Sequence, residues 1–312
     1  MTSIGNQMLR AVFGRKIVSL RLLNALRSER DALRSERDAL RFESNALSAE
    51  RDELCSASRQ YLYNTPLMLD RLEKIGSLLR MKTVEKYSKT RIGSPADGGY
   101  VCLADLDDVV AALSIGIGGD VSWDAAIADG GVRVYQYDHT VTAPPTLHDN
   151  FVFHQTKLGT CDEHNQTSLA SILAKYNLRT PASVIAKIDI EGDEWDVLNS
   201  VPSDVLSVFS QIVCEFHWFH KLNDDEFFGK VMGALSKLAL VFEPVHVHGN
   251  NYAPVLHIGN ITLPDVLEVT FVNKRKYDTL DGDEVFPTSL DAPNNPTLKD
   301  YPLGYFRFPT KV

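Results

Sequence analysis

One seven-residue segment limits the folds open to this chain: Ser114-Ile-Gly-Ile-Gly-Gly-Asp120. It follows the apolar run Val109-Val-Ala-Ala-Leu113, and beyond it a second strand-like run from Val132 to Tyr137 ends on the acid Asp138. Strand, glycine turn, helix, strand and acid in that order are the grammar of a nucleotide-binding βαβ unit. The glycines let the backbone approach a ligand, and the acid accepts hydrogen bonds from ribose hydroxyls. A strand-to-helix turn with no ligand would show the same glycines, so Asp138 is what turns the pattern into a binding motif. The expectation is an adenosine-containing ligand held by Gly116, Gly118, Asp120, Asp138 and the adjacent His139. A dinucleotide motif would need a third glycine at position 121, where this chain has Val121, which disfavours a nicotinamide-dependent oxidoreductase.

Composition narrows the partners. With 312 residues and 44% hydrophobic content there is material for one large domain and an appendage. A net charge of −9 argues against nucleic acid as the main partner, because phosphate backbones are held by clustered Lys and Arg. Cys55, Cys102, Cys161 and Cys214 are far apart and form no CxxC pair, so neither a disulfide framework nor a zinc ribbon is indicated, and a reducing cytoplasm fits. No apolar run approaches the ~20 residues that span a bilayer.

The N-terminus has no acid before Glu29, while Arg10, Arg15, Lys16, Arg21 and Arg27 interleave with Leu9, Val12, Phe13, Ile17 and Val18. Residues 1–27 therefore read as a basic amphipathic segment suited to peripheral contact with an anionic membrane. A mitochondrial transit peptide or a helix packed on the body would read alike. Heptads follow over residues 27–54: RSERDAL, RSERDAL, RFESNAL and SAERDEL, with leucines at 26, 33, 40, 47 and 54. A strict seven-residue period implies a left-handed coiled coil, and residues 23–54 are the expected homo-oligomer surface. The companion core positions, Leu23, Arg30, Arg37, Ser44 and Arg51, are mostly polar, and alternating charges at spacings of three and four also suit a solvated single helix.

Residues 56–90 read as a helical linker with an amphipathic helix at Leu67 to Leu79. From about 91 to 275, strand-like runs at 109–115, 132–137, 150–154, 183–190 and 211–217 alternate with helical patterns at 121–129, 167–177, 193–200 and 223–237. Such alternation predicts an α/β domain with a parallel sheet covered on both faces. Val241 to Val247 and Val266 to Val272 are two further strands across a polar loop, expected to form a C-terminal antiparallel hairpin. Residues 276–312, rich in Pro, Asp and Asn, read as an irregular surface tail.

Gly116, Gly118 and Asp120 resemble the first motif of S-adenosylmethionine-dependent methyltransferases, with Ser114 standing where that motif often carries an acid. More specifically, Ala186-Lys-Ile-Asp-Ile-Glu-Gly-Asp-Glu-Trp-Asp-Val-Leu198 resembles the signature of FkbM-type methyltransferases. Asp97-Gly-Gly-Tyr100, the Asp-Val-Ser-Trp-Asp ending at Asp124, His246-Val-His-Gly-Asn-Asn-Tyr252 and Leu263 to Thr270 agree with that resemblance. It covers roughly residues 90 to 275 and leaves out the heptads. It implies a Rossmann-like class I methyltransferase sheet behind an N-terminal long helix or coiled coil, S-adenosylmethionine as cofactor, and O-methylation of a sugar or glycan hydroxyl.

Methyl transfer to oxygen requires the acceptor to be aligned and its proton removed. Asp189 and Glu191 flank Ile190 and would point the same way if the fourth strand persists. Glu215 and His217 share a face at the end of the fifth strand, as do His246 and His248 at the end of the sixth, followed by Asn250 and Asn251. His217 or His246 is the expected base, because imidazole titrates near neutrality, oriented by Asp189 or Glu215. Asp189, Glu215 and an imidazole also have the donors to bind a divalent metal, which leaves metal dependence open. Structural readings stand beside these. Glu191 suits a helix N-terminus, His246 and His248 suit hydrogen-bonded hairpin positions, and Trp195 and Trp218 suit core or pocket wall. Tyr100, Trp123 and His139 suit either packing or the adenine and methionine pockets. A non-catalytic nucleotide-binding scaffold recruited through its heptads is the alternative from another functional class.

Overall fold

The computed structural model describes residues 60–63, 66–163, 165–259 and 261–308, together with Arg30, Leu33 and Arg37. Contacts divide the chain into two compact units, Met1–Ser58 and Arg59–Val312. In the first unit the three described residues are helical and exposed; the basic segment and most of the heptads lie outside the described residues. No described helix is long and apolar enough to cross a membrane.

The second unit is built on seven strands: β1 (Ala111–Ile115), β2 (Val134–Tyr137), β3 (Phe151–His154), β4 (Val184–Ile188), β5 (Phe209–Phe216), β6 (Phe242–Gly249) and β7 (Leu267–Asn273). They form one sheet in the order β3-β2-β1-β4-β5-β7-β6. Neighbours from β3 to β5 are parallel, whereas β7 runs antiparallel to both β5 and β6. This is the Rossmann-like α/β sheet with a C-terminal antiparallel pair. Every residue of β1, β4, β5 and β7 is buried, as expected of strands covered on both faces.

Strand alternation sends successive side chains to opposite faces. Leu113, Ala186 and Ile212 pack against α1 (Pro66–Leu78), α4 (Glu194–Ser200) and α6 (Asp225–Val241) through Leu72, Trp195 and Leu235. Ala112, Ile185 and Val213 meet Trp123 and Ile127 of α2 (Ser122–Asp129) and Tyr100 and Cys102 of the hairpin Lys89–Ile92/Tyr100–Leu103. Each fully buried large apolar side chain contributes about 1.5–3 kcal/mol. In α6 the buried positions Val231, Ala234, Leu235 and Leu238 recur at helical spacing, and the Asp224 carboxylate caps the helix by accepting from Phe227 N at 2.7 Å. Two short helices complete the layer: α3 (Leu169–Lys175), capped by Ser168, and α5 (Ser203–Leu206).

Two details depart from the sequence reading. The stretch between β6 and β7 is more than a polar loop: Val255–Ile258 and Ile261–Pro264 form a hairpin, to which Gln60–Tyr63 adds a parallel strand. Its short apolar runs are interrupted by Pro254, His257 and Thr262, which hid their period. The tail beyond residue 276 is irregular, yet Phe286, Asn294 and Phe306 are buried. Its Asp and Asn side chains bond buried polar groups on β6 and β7 instead of facing water.

Candidate active site

The glycine turn bridges β1 and α2 at the carboxyl ends of the parallel strands. Gly116 has φ +76°, and a Cβ there would lie 1.6 Å from the Asp189 carbonyl oxygen, so only glycine lets β1 and β4 close at this level. Gly118 is also left-handed, at φ +49°, but a Cβ there would meet nothing within 4 Å. The space beside it is a cleft of about 380 Å³, lined by Asp97, Gly98, Tyr100, Gly116 to Asp120, Tyr137 to Thr140, Thr156 to Leu158, Lys187, Asp189 to Glu191 and Asp193. All five residues expected to bind the cofactor, Gly116, Gly118, Asp120, Asp138 and His139, face this one cleft. Trp123 does not line it and is core.

Asp138 is turned onto the protein's own backbone. Its Oδ2 accepts from Ile117 N and Gly118 N, both at 2.9 Å, and its Oδ1 accepts from Thr140 N and Oγ1 at 2.7 and 2.6 Å. These four donors fill a carboxylate's capacity, so Asp138 clamps the glycine loop, and a ribose hydroxyl would have to displace one of them. Burial works to raise its pKa, but the Thr140 and loop hydrogen bonds outweigh that and hold it below the usual value.

Ser114 is fully buried and lies in a polar row beneath α2. Gln136 and Lys187 are its register neighbours on either side. Gln136 donates to Asp124 of α2 at 2.7 Å, and Lys187 Nζ donates to the Gly116 carbonyl at 2.6 Å. Lys187 thus holds the glycine turn from below while its charge favours ionised Asp124 and Asp189. Lys187 lies within the FkbM-like motif with no task legible from sequence alone; a lysine inside an otherwise apolar strand is the available signal.

At the ends of β4 and β5 stands a second group, Asp189, Glu215 and His217, each offering an atom within 4.8 Å of the others. The β4 strand stops at Ile188 and Glu191 turns left-handed at φ +57°, so strand alternation does not pair Glu191 with Asp189 as expected. Glu191 instead reaches the group from the exposed side, its Oε2 3.6 Å from His217 Nε2. Trp218 is left-handed as well, at φ +71°. Non-glycine residues in this region cost about 1–3 kcal/mol each and concentrate at functional sites.

His217 is oriented by Glu194, not by Asp189 or Glu215. The fully buried Glu194 accepts from His217 N at 2.7 Å and meets Nδ1 at 2.9 Å, while its other oxygen accepts from Gly192 N at 2.9 Å. Burial alone would depress the imidazole, but the Glu194 hydrogen bond and the surrounding carboxylates raise it to about 10. It is therefore charged at neutral pH, which removes the reason for choosing it as base. Burial pushes Asp189 up to about 6 against the pull of Lys187 and His217. Glu215 is raised well above the carboxylate range by burial and by Asp189 and Glu268. Asn250 Nδ2 donates to Glu215 at 2.7 Å, and the Tyr100 hydroxyl lies 3.4 Å from Glu215 and 3.5 Å from Asp189. Trp195 Nε1 donates to the His217 carbonyl at 2.8 Å, and its ring stacks on Phe216, fastening the end of β5 to α4.

His246 takes no part in this group. It is 2% exposed, its Nε2 meets Asp291 of the tail at 2.8 Å, and Phe286 packs edge-on against its ring. Its neighbour His248 lies between Glu268 and Asp300 at 3.1 and 2.9 Å. The tail fastens these histidines as structural residues. Asn294 extends the fastening to the cleft, donating to Glu268 at 2.6 Å and to the cleft-lining Asp97 at 3.0 Å.

Residues 101–242 match the family model for the methyltransferase FkbM domain. No curated protein matches the chain. Among solved structures, a fibrillarin/Nop5p complex is similar at 13% identity over 62% of this chain and 98% of that one, with a TM-score of 0.34. A dimethyladenosine transferase from Plasmodium falciparum is similar at 11% identity over 69% of this chain and 64% of its own, with a TM-score of 0.29.

Proposed function

We propose that this chain, whose residues 101–242 match the family model for the methyltransferase FkbM domain, transfers the methyl group of S-adenosylmethionine to a hydroxyl oxygen of a sugar or glycan. The observation that carries the reading is the junction of two sites. The cleft beside Gly118 and the Asp189–Glu215–His217 group share Asp189 and Glu191 as common wall.

The cleft fits the cofactor in size and charge. Its volume of about 380 Å³ lies in the range of small-molecule sites. Asp97, Asp120, Asp138, Asp189, Glu191 and Asp193 outnumber Lys157 and Lys187 along its wall, which suits a ligand with a cationic sulfonium and amine. When bound, S-adenosylmethionine supplies an electrophilic methyl carbon. Gly118 and Gly119 leave room for the ligand against the backbone, since a Cβ on either meets nothing within 4 Å. Asp138 and Lys187 keep the turn in that shape from two sides. An acceptor hydroxyl placed over Asp189 would face the methyl carbon, and its in-line attack would break the carbon–sulfur bond with the electron pair left on sulfur. Its proton passes to a carboxylate on the shared wall, Asp189 or Glu191, both of which line the cleft. The basic segment and heptads would hold the enzyme near a membrane where glycans are assembled, a role tested by fractionation and oligomeric mass after deletion of residues 1–55.

Calorimetry with S-adenosylmethionine followed by labelled-methyl transfer to a panel of glycans tests the activity. Cofactor binding, turnover on a glycan, and loss of that turnover in Asp189→Asn are expected. Binding without turnover on any acceptor would favour the scaffold, and binding of a nicotinamide dinucleotide instead would favour the oxidoreductase.

A further inference from the structure

We propose that Asp189, Glu215 and His217 form a divalent-cation site that receives the acceptor hydroxyl. The inference rests on the methyltransferase reading for the identity of that hydroxyl, but the site itself is argued from its own geometry.

The donor atoms come from the ends of adjoining strands and lie within 4.8 Å of one another. Divalent cations sit about 2.0–2.6 Å from their oxygen ligands, so donors up to roughly 4–5 Å apart can share one ion. The histidine carries the most specific signal. Its Nδ1 side is taken by the buried Glu194, whose same oxygen also holds the His217 backbone amide. That leaves Nε2 facing the group, 3.6 Å from Glu191 Oε2 and 3.9 Å from Glu215 Oε1, both beyond hydrogen-bond reach, on a side chain only 8% exposed. A carboxylate behind one ring nitrogen, with the other nitrogen open toward further acids, is the arrangement that orients a histidine for metal.

The remaining ligands are supported in the same way. Asn250 donates to one oxygen of Glu215, and the Tyr100 hydroxyl stands between Glu215 and Asp189. Left-handed Glu191 and Trp218 bracket the group, so the backbone is strained on both sides of it. Five acidic side chains, Asp189, Glu191, Glu194, Glu215 and Glu268, surround two basic ones, His217 and Lys187. A divalent ion would balance that excess, taking the place of the proton on Nε2. Two carboxylate oxygens and one imidazole nitrogen suit Mn²⁺ as the probe.

The ion would lower the pKa of the acceptor hydroxyl. The proton then goes to Glu191, the shared-wall carboxylate outside the donor set, and on to solvent. The oxygen forms its bond to the methyl carbon as the carbon–sulfur bond breaks.

The test uses the full chain, stripped with EDTA and titrated with Mn²⁺ while electron paramagnetic resonance reads the free ion. One site per chain is expected, with affinity cut by at least about tenfold in Asp189→Asn and in Glu215→Gln. Glu215→Gln, outside the cleft lining, should keep its cofactor affinity by calorimetry, and urea unfolding shows that both variants fold. No Mn²⁺ bound by the folded wild type, or wild-type affinity in both variants, overturns the site. Methyl transfer undiminished in EDTA overturns it too while leaving the transferase reading intact. Mn²⁺ bound as expected in a chain that binds no S-adenosylmethionine would instead sink the transferase reading.

Discussion

Replacing Gly116 and Gly118 with alanine, one at a time, should separate the two tasks of a single turn. At Gly116 the added Cβ would lie 1.6 Å from the Asp189 carbonyl oxygen and 2.8 Å from its carbon, less than any non-bonded contact allows. Relief requires β1 and β4 to part where Asp189 N donates to Ile115 O at 3.0 Å and Lys187 donates to Gly116 O. A left-handed alanine costs about 1–2 kcal/mol, overpacking against backbone about 1–3, and a lost hydrogen bond about 1. The total, about 3–6 kcal/mol, is a large part of the 5–15 kcal/mol that holds a typical domain together. At Gly118 only the left-handed strain applies, about 1–2 kcal/mol, because the methyl enters open space. That space is where the cofactor is proposed to lie, so its affinity should fall roughly tenfold or more. Urea unfolding and calorimetry with S-adenosylmethionine read the two effects. Equal stability of the two variants would refute the packing argument, and unchanged cofactor affinity in Gly118→Ala would refute the placement of the ligand.

Further outcomes follow from the same contacts. Trp195→Ala removes a fully buried ring stacked on Phe216 and the donor to the His217 carbonyl, so it should cost about 3–5 kcal/mol in denaturant unfolding. His246→Gln should lower stability by about 1–3 kcal/mol while transfer stays within tenfold of wild type; a rate loss above about 100-fold would restore His246 as the base. The His248 imidazole is raised to about 10: burial opposes the rise, but Glu268 and Asp300 outweigh it. The unfolded chain releases that proton near the ordinary imidazole value, about 6.5, while the fold keeps it. The stabilisation is therefore complete below about pH 6.5 and declines as pH rises toward 10. Unfolding free energies at pH 6 and pH 9 should differ less in His248→Gln than in wild type, and an unaltered difference would count against the ion pair.

Much of this protein was legible before its structure because the relevant physics is local. Strand period, apolar runs covered on both faces and the turn at Gly116 belong to short stretches, so the βαβ start and most strand positions could be read directly. The Lys187 to Glu194 motif likewise placed Asp189 at the end of β4 and opened the helix that carries Glu194. The limits of local reading show at particular residues. Alternation joined Asp189 with Glu191, but the chain leaves β4 at Ile188, and the two acids approach the group from different sides. His246 and His217 carried equal promise in sequence; Asp291, far along the chain, binds the first, while Glu194 of a neighbouring helix aims the second. A tail that reads as surface coil supplies Asp291, Asn294 and Asp300 to buried groups on β6 and β7.

The sequence by itself determined the sheet's parallel half, the turn beneath the cleft and the residue types available for chemistry, since each depends on periodicity or on one residue's backbone freedom. Only the tertiary structure decided which of those residues meet. The insertion of β7 between β5 and β6, the closure of Gly116 onto Asp189 and the convergence of Glu194, Glu215 and Asn250 around His217 are contacts between distant segments. Their formation depends on how whole strands and helices pack, and a short sequence window holds no record of that packing.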